Sequence, residues 1–145
     1  MIGLLQRVSQ ARVVIEGQCR AEIGVGLAVL VGVQRQDDQQ KADRLLQRLL
    51  GYRVFPDADG RMNLSLQQIQ GGLLLVPQFT LAADTRKGMR PGFSTAADPA
   101  SGEALFSYLT GRAMQLYQPV GCGVFGADMQ VELVNDGPVT FWLET

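Results

Sequence analysis

Residues 27–51 read Leu27-Ala28-Val29-Leu30-Val31-Gly32-Val33-Gln34-Arg35-Gln36-Asp37-Asp38-Gln39-Gln40-Lys41-Ala42-Asp43-Arg44-Leu45-Leu46-Gln47-Arg48-Leu49-Leu50-Gly51, and how this stretch is read decides the class of fold. Its first seven residues are apolar and rich in valine, the pattern of a strand buried on both faces. Asp37 and Asp38 then mark a helix start, because carboxylates sit well against the positive end of a helix dipole. Ala42, Leu45, Leu46, Leu49 and Leu50 come next at i, i+3, i+4, i+7 and i+8, one apolar stripe at helical period. Gly51 stands near its end as a stop signal. A buried strand running into an amphipathic helix is the building unit of an α/β protein.

The same reading extends in both directions. Upstream, residues 2–9 and 11–16 suggest two strands. Glu16-Gly17-Gln18 suits a hairpin turn into a short strand near Arg20–Ile23. Downstream, Arg53–Phe55 suggests a short strand, and Pro56-Asp57-Ala58-Asp59-Gly60 a turn in which proline presets φ and glycine supplies a positive one. Asn63–Gln70 is polar and stays open. Leu73–Val76 is a second buried strand. A long loop, 82–97, carries Arg86, Lys87 and Arg90; loops of this length in compact domains usually serve function. Asp98-Pro99 opens a second helix, an N-cap followed by proline, with Leu105, Tyr108, Leu109, Arg112, Ala113 and Leu116 at helical spacing. Three more strands are expected around Val120–Phe125, Met129–Val134 and Val139–Leu143. The expectation is one domain, 1–145, of α/β class: three layers α/β/β, in the order β(2)-(βα)2-β(3), with a mixed sheet and a second sheet.

Composition limits the chemistry. The 145 residues contain no histidine, which removes every Ser-His and Cys-His nucleophile pair and the common zinc sites. Catalysis must rest on carboxylates, backbone amides, hydroxyls or a group on the substrate. No metal and no cofactor is expected. The net charge is −1, so a nucleic-acid contact has to be small and local, since proteins that wrap nucleic acid carry a basic excess. Met1–Leu5 is apolar, but Arg7 and Arg12 come directly after it, so no export signal is read. The longest apolar run, Gly24–Val33, is too short for a bilayer. A cytoplasmic protein with free Cys19 and Cys122 is expected.

Several motifs invite weaker readings. Gly24-Val25-Gly26 resembles the start of a dinucleotide fingerprint, but position 29 is Val and residues 27–33 are strand-like, so a tight hairpin turn is preferred. Asp57-Ala58-Asp59-Gly60 lacks the remaining ligands of a calcium loop. Asp37-Asp38 could contribute to a metal site, yet a helix start explains both. Cys122 lies between two glycines without an activating base and suits a small core residue.

Two segments are candidates for chemistry. In Val76-Pro77-Gln78-Phe79-Thr80-Leu81, backbone N–H groups at Gln78 and Phe79 could project into a cleft, with Thr80 offering a hydroxyl; a strand end with a buried Phe fits as well. Asn135-Asp136-Gly137-Pro138-Val139-Thr140 suits a hairpin turn. It also suits a close approach to a ligand, since glycine lets backbone come near and an X-Pro bond can be cis. Residue types alone leave both pairs of readings open.

These segments, together with Leu4-Leu5-Gln6-Arg7-Val8, Met62-Asn63-Leu64, Ala82-Ala83-Asp84-Thr85 through Gly88-Met89-Arg90-Pro91, Ala127-Asp128-Met129-Gln130-Val131 and Phe141-Trp142-Leu143, resemble the bacterial D-aminoacyl-tRNA deacylases over essentially the whole chain. The resemblance implies hydrolysis of the ester joining a D-amino acid, or glycine mischarged on alanine tRNA, to the tRNA 3′ end. It implies a homodimer in which Gly137 and Pro138, joined by a cis bond, enter the partner's pocket and exclude L side chains. It implies an oxyanion hole from the Gln78–Phe79–Thr80 backbone, with the 2′-hydroxyl of the terminal ribose assisting cleavage. Arg7, Pro77, Phe125 and Met129 fall at supporting or substrate-binding positions. Arg86, Lys87 and Arg90 are candidates for phosphate contact. One position departs from the family: Pro77 stands where a serine is usual, which puts any role of that serine in doubt. An editing enzyme of other preference, and a non-catalytic tRNA binder, remain as alternatives.

Overall fold

The computed structural model describes residues Met1–Thr145. Strand β1 (Ile2–Ile15) is one strand, where the sequence suggests two. After it come β2 (Gln18–Ile23), β3 (Gly26–Gly32), α1 (Gln39–Gly51), β4 (Arg53–Pro56), β5 (Met62–Ser65), α2 (Leu66–Ile69), β6 (Gly72–Pro77), a 3-10 turn (Phe79–Ala82), α3 (Pro99–Leu116), β7 (Val120–Cys122) and β8 (Gln130–Glu144). The main sheet is mixed, in the order β2-β1-β3-β6-β7, with β8 on the other side of β1. β3–β6 and β6–β7 are parallel; β1 pairs antiparallel with β2, β3 and β8. β4 and β5 form a second, small sheet.

The layers arise from strand alternation. Leu27, Val29, Val31, Leu73 and Leu75 join Leu45, Leu46, Leu49, Phe106 and Leu109 in the larger core, under the helices. Ala28, Leu74 and Val76 face the other way, onto Val8, Ala11, Val13 and Ile23. β1 serves both sides because it is bulged: Val8 pairs with Asn135 and Gln10 with Val134, leaving Ser9 over. A bulge shifts the in–out parity and bends the strand. Its first half lies in the middle layer beside β3, and its second half folds with β2 over the far face. This is the expected α/β/β order with a nearly closed mixed sheet.

The helix readings divide. All five stripe residues of α1 are buried, and Asp38 caps it by accepting from Lys41 N at 2.9 Å. Asp37 lies outside the helix with its side chain fully buried, accepting from the Met1 ammonium at 2.6 Å and from Gln34 N at 2.7 Å. Asp98 caps α3, with Pro99 at its start. The α3 stripe is corrected: the buried face is Gly102, Phe106, Leu109, Thr110 and Ala113, while Leu116 is exposed and Arg112 pairs with Asp43 of α1. Asn63–Gln70 resolves into the end of β5 and α2, joined by a Ser65/Gln68 capping box.

Gly24-Val25-Gly26 is not a hairpin turn. β2 and β3 do not pair with each other; both lie along β1. Gly26 is required by a close approach, since a Cβ there would stand 2.0 Å from the Gly72 carbonyl oxygen. No helix is long and apolar enough to cross a membrane. No cluster of His, Cys, Asp or Glu could hold a metal, and Cys19 and Cys122 are free.

Candidate active site

β3 and β6 run parallel, and a cavity of about 480 Å³ lies beyond their carboxyl ends, where open α/β sheets commonly bind ligands. Val31, Val33, Val76 and Phe106 form its apolar floor. Pro77, Gln78 and Phe79 form one lip, and Phe125 and Met129 the other. Two glycines make room for the second lip. A Cβ on Gly102 would stand 3.2 Å from the Phe125 ring, and one on Gly123 would stand 2.9 Å from Met129 Sδ. The Val124 N–H donates to that sulfur at 3.3 Å, which holds the thioether in place.

The backbone of the first lip differs from expectation. The Gln78 N–H donates to the Val31 carbonyl at 2.7 Å, so it extends the β3–β6 ladder and is not free to bind a ligand. The next two residues open the 3-10 turn, whose first N–H groups have no acceptor within the turn. Neither Phe79 N nor Thr80 N donates to any protein acceptor, whereas Leu81 N bonds Gln78 O and Ala83 N bonds Thr80 O. The free pair of donors is therefore Phe79–Thr80. Pro77 follows the last β6–β7 pair. Leu73 N–H points to the β7 side, to Pro119 O, and Pro77 has the same parity; β7's last paired residue, Cys122, stands opposite Leu75. Pro77 thus stands past the end of that ladder, where proline is tolerated.

No strong base serves this lip. The Thr80 hydroxyl accepts from the Gln78 side-chain amide. Asp128 is the only ionisable residue in the cavity lining. Burial pushes the Cys122 thiol up, away from the reactive thiolate. What the lip offers is two adjacent amide donors on an exposed edge, which suits the stabilisation of a developing oxyanion.

Thr80 itself opens on a different cleft, of about 600 Å³, which continues along Leu81–Arg86. Gly137 and Pro138 line neither space and are exposed. They are not a hairpin turn between two strands. β8 runs through them, pairing Thr140 with Gln6 and Asn135 with Val8, so residues 136–139 bulge out opposite Arg7 alone. The Gly137–Pro138 peptide is cis. Asn135 closes the base of the protrusion, donating to Thr140 Oγ1 and accepting from Val139 N, both at 2.9 Å. Arg7 braces it: Nε donates to Asp136 O at 3.1 Å, and Nη1 to Val54 O at 2.7 Å. Arg7 is thus tied into the 135–140 segment. The sequence reading missed Val31, Val33, Phe106, Asp128 and Val131 as cavity residues. Phe106 was recoverable from the Gly102–Phe106–Leu109–Ala113 spacing; the valines look the same whether they line a core or a cavity.

The family of D-Tyr-tRNA(Tyr) deacylase matches residues 4–144. The chain is 64% identical over 144 residues to the D-aminoacyl-tRNA deacylase of Alkalilimnicola ehrlichii, across 99% of this chain and 96% of that one. It is 63% identical over 145 residues to that of Stutzerimonas stutzeri, across the full length of both. Among solved structures, the c-Myc DNA unwinding element binding protein is 35% identical, with a TM-score of 0.95 over 100% of this chain and 99% of that one. A probable eukaryotic D-amino acid tRNA deacylase shares the fold at 17% identity, with a TM-score of 0.82 over 99% and 98% of the two chains.

Proposed function

The chain belongs to the D-Tyr-tRNA(Tyr) deacylase family of ester hydrolases, and on that premise we propose that it removes D-amino acids, and glycine mischarged on alanine tRNA, from the 3′ end of tRNA in the cytoplasm. The observation that carries this reading is the pair of unpartnered N–H groups at Phe79, on the lip of an apolar cavity without a strong base, and at Thr80 beside it, where the second cleft lies. The terminal aminoacyl-adenosine enters the cavity between Phe79 and the Phe125–Met129 wall. The ester carbonyl turns toward the two amides, which stabilise its oxygen as negative charge develops there. One such donor lowers the barrier by about 3–4 kcal/mol. A water molecule attacks the ester carbon with the help of the terminal 2′-hydroxyl and the ribose 3′-oxygen leaves with its proton, so neither Thr80 nor a metal or cofactor is needed for bond cleavage.

Chirality is set by exclusion. The enzyme works as a homodimer in which Gly137 and Pro138 of each subunit reach the partner's cavity. Their carbonyl groups fill the space an L side chain needs, and a D side chain or the hydrogen of glycine escapes the clash. In support, the motif stands outside its own chain's cavity, on a protrusion braced by Arg7. The test is hydrolysis of D-tyrosyl-, L-tyrosyl- and glycyl-tRNA side by side, with a D-tyrosyl ester on a 2′-deoxy terminus as a fourth substrate. The D and glycyl esters should be cleaved and the other two spared. Equal rates on D and L would end the exclusion account, and normal turnover of the 2′-deoxy ester would return Thr80 to the role of nucleophile. The name of the 35%-identical relative favours a second reading, a nucleic-acid binder without catalysis. Binding with no hydrolysis of any ester would establish it.

A further inference from the structure

We infer that Lys87 and Arg90 grip the sugar–phosphate backbone of the single-stranded 3′ end beside the scissile ester, and that Arg86 is the clasp that shapes their loop; this rests on the aminoacyl-tRNA reading above. The loop is built for presentation. Its neck is an antiparallel bridge, with Asp84 N donating to Gly92 O at 2.7 Å and Gly92 N to Asp84 O at 3.0 Å. Arg86 folds back on the neck: its Nε and Nη2 reach the two Asp84 carboxylate oxygens at 2.9 and 2.7 Å, and its own N–H donates to Oδ1 at 3.1 Å. These contacts hold the Asp84 carboxyl well below the usual carboxylate range. Arg86 is therefore spent within the loop.

Lys87 and Arg90 differ from it. Both are exposed, neither has an ion-pair partner, and residues 85–97 contain no carboxylate. In a chain of net charge −1, this tip is a local positive site of the small kind that near-neutral charge permits. It is also tied to the ester-binding lip. Phe93, directly after the neck, packs on Phe79 with ring centroids 5.2 Å apart. Thr80 and the strip Leu81–Arg86 line one cleft, together with Ile2, Gln34, Thr95, Trp142 and Glu144. A 3′ end whose ester carbonyl meets the Phe79 and Thr80 amides thus leaves the lip along the face that carries the loop. Arginine and lysine fit this partner in different ways, one as a fork on phosphate oxygens and the other as a point charge.

The test compares wild type, Lys87→Ala/Arg90→Ala and a control that removes two exposed arginines elsewhere, Arg20→Ala/Arg44→Ala. Each is titrated with deacylated tRNA over a range of salt, and each is assayed on D-tyrosyl-tRNA and on 3′-O-D-tyrosyl-adenosine, which has no phosphate. Losing two single-strand phosphate contacts flattens the slope of log affinity against log salt by about 1.4, a penalty roughly sevenfold larger at about 50 mM than at about 200 mM. The loop variant should show this and the control should not. The loop variant should also lose far more kcat/KM on the tRNA ester than on the nucleoside ester. A slope equal to that of wild type or of the control, or equal losses on the two esters, overturns the inference. Wild type that cleaves neither ester sinks the proposed function, and the tRNA titration then still decides the loop.

Discussion

At the scale of the residue, the candidate site turns on which amides are free. The types Gln78, Phe79 and Thr80 point to an amide shelf but not to its register. The Gln78 N–H is claimed by Val31, a consequence of parallel pairing between strands far apart in the chain that no local pattern reveals. Proline at position 79 isolates the consequence. Phe79 is the first residue of the 3-10 turn, where proline's fixed φ is accepted and its missing N–H breaks no protein hydrogen bond. The substitution also removes the ring that packs on Phe93, so Phe79→Ala is the matched comparison. Phe79→Pro should lower single-turnover kcat on D-tyrosyl-tRNA by about 10²–10³ relative to Phe79→Ala, the range for losing one oxyanion donor. Equal rates for the two variants would remove the Phe79 amide from the mechanism. Pro77 is the complementary case: it stands two residues past the last β6–β7 pair.

At the scale of the element, what was legible depended on whether a segment's partners were local. The α1 stripe, the Asp98-Pro99 start of α3 and the buried strand at Leu73–Val76 are written in local sequence, and all three stand in the structure. β8 was not legible as one strand, because Asn135-Asp136-Gly137-Pro138 has the composition of a turn. Only β1, running past both halves, keeps it a strand with a four-residue protrusion. Arg7 is what fixes that protrusion, and its removal should act there first. Arg7→Ala strands the Val54 carbonyl and frees the Asp136 backbone, a loss of about 1–3 kcal/mol for a buried acceptor. Amide exchange at Gly137 and Val139 should then quicken more than exchange in β3 and β6, and rejection of L-tyrosyl-tRNA should weaken before D-tyrosyl turnover does. Uniform acceleration across the sheet would make Arg7 a general stabiliser and not a brace.

At the scale of the whole molecule, the question is whose cavity each protrusion serves. Gly137 is exposed in its own chain, and its φ of +126° puts an added Cβ 3.0 Å from Arg7 Nη2 and 2.7 Å from Val139 Cγ2. Gly137→Ala should therefore reshape the tip while leaving the Phe79–Thr80 lip intact, giving an enzyme that is active and poorly selective. Phe79→Pro should give the converse, an intact protrusion beside a crippled cavity. Mixing the two separates the arrangements. If each protrusion serves the partner's cavity, the working cavity of a mixed dimer belongs to the Gly137→Ala chain but receives an unaltered Gly137-Pro138 from the other. Adding Phe79→Pro in large excess and allowing subunits to exchange should restore discrimination between D- and L-tyrosyl-tRNA to whatever activity remains. If the motif acts within its own chain, the same mixture stays unselective at every ratio. The readout is the ratio of D- to L-tyrosyl rates, taken after mixed dimers have been shown to form, so that an unchanged ratio counts against the partner arrangement and a rising one against the own-chain arrangement.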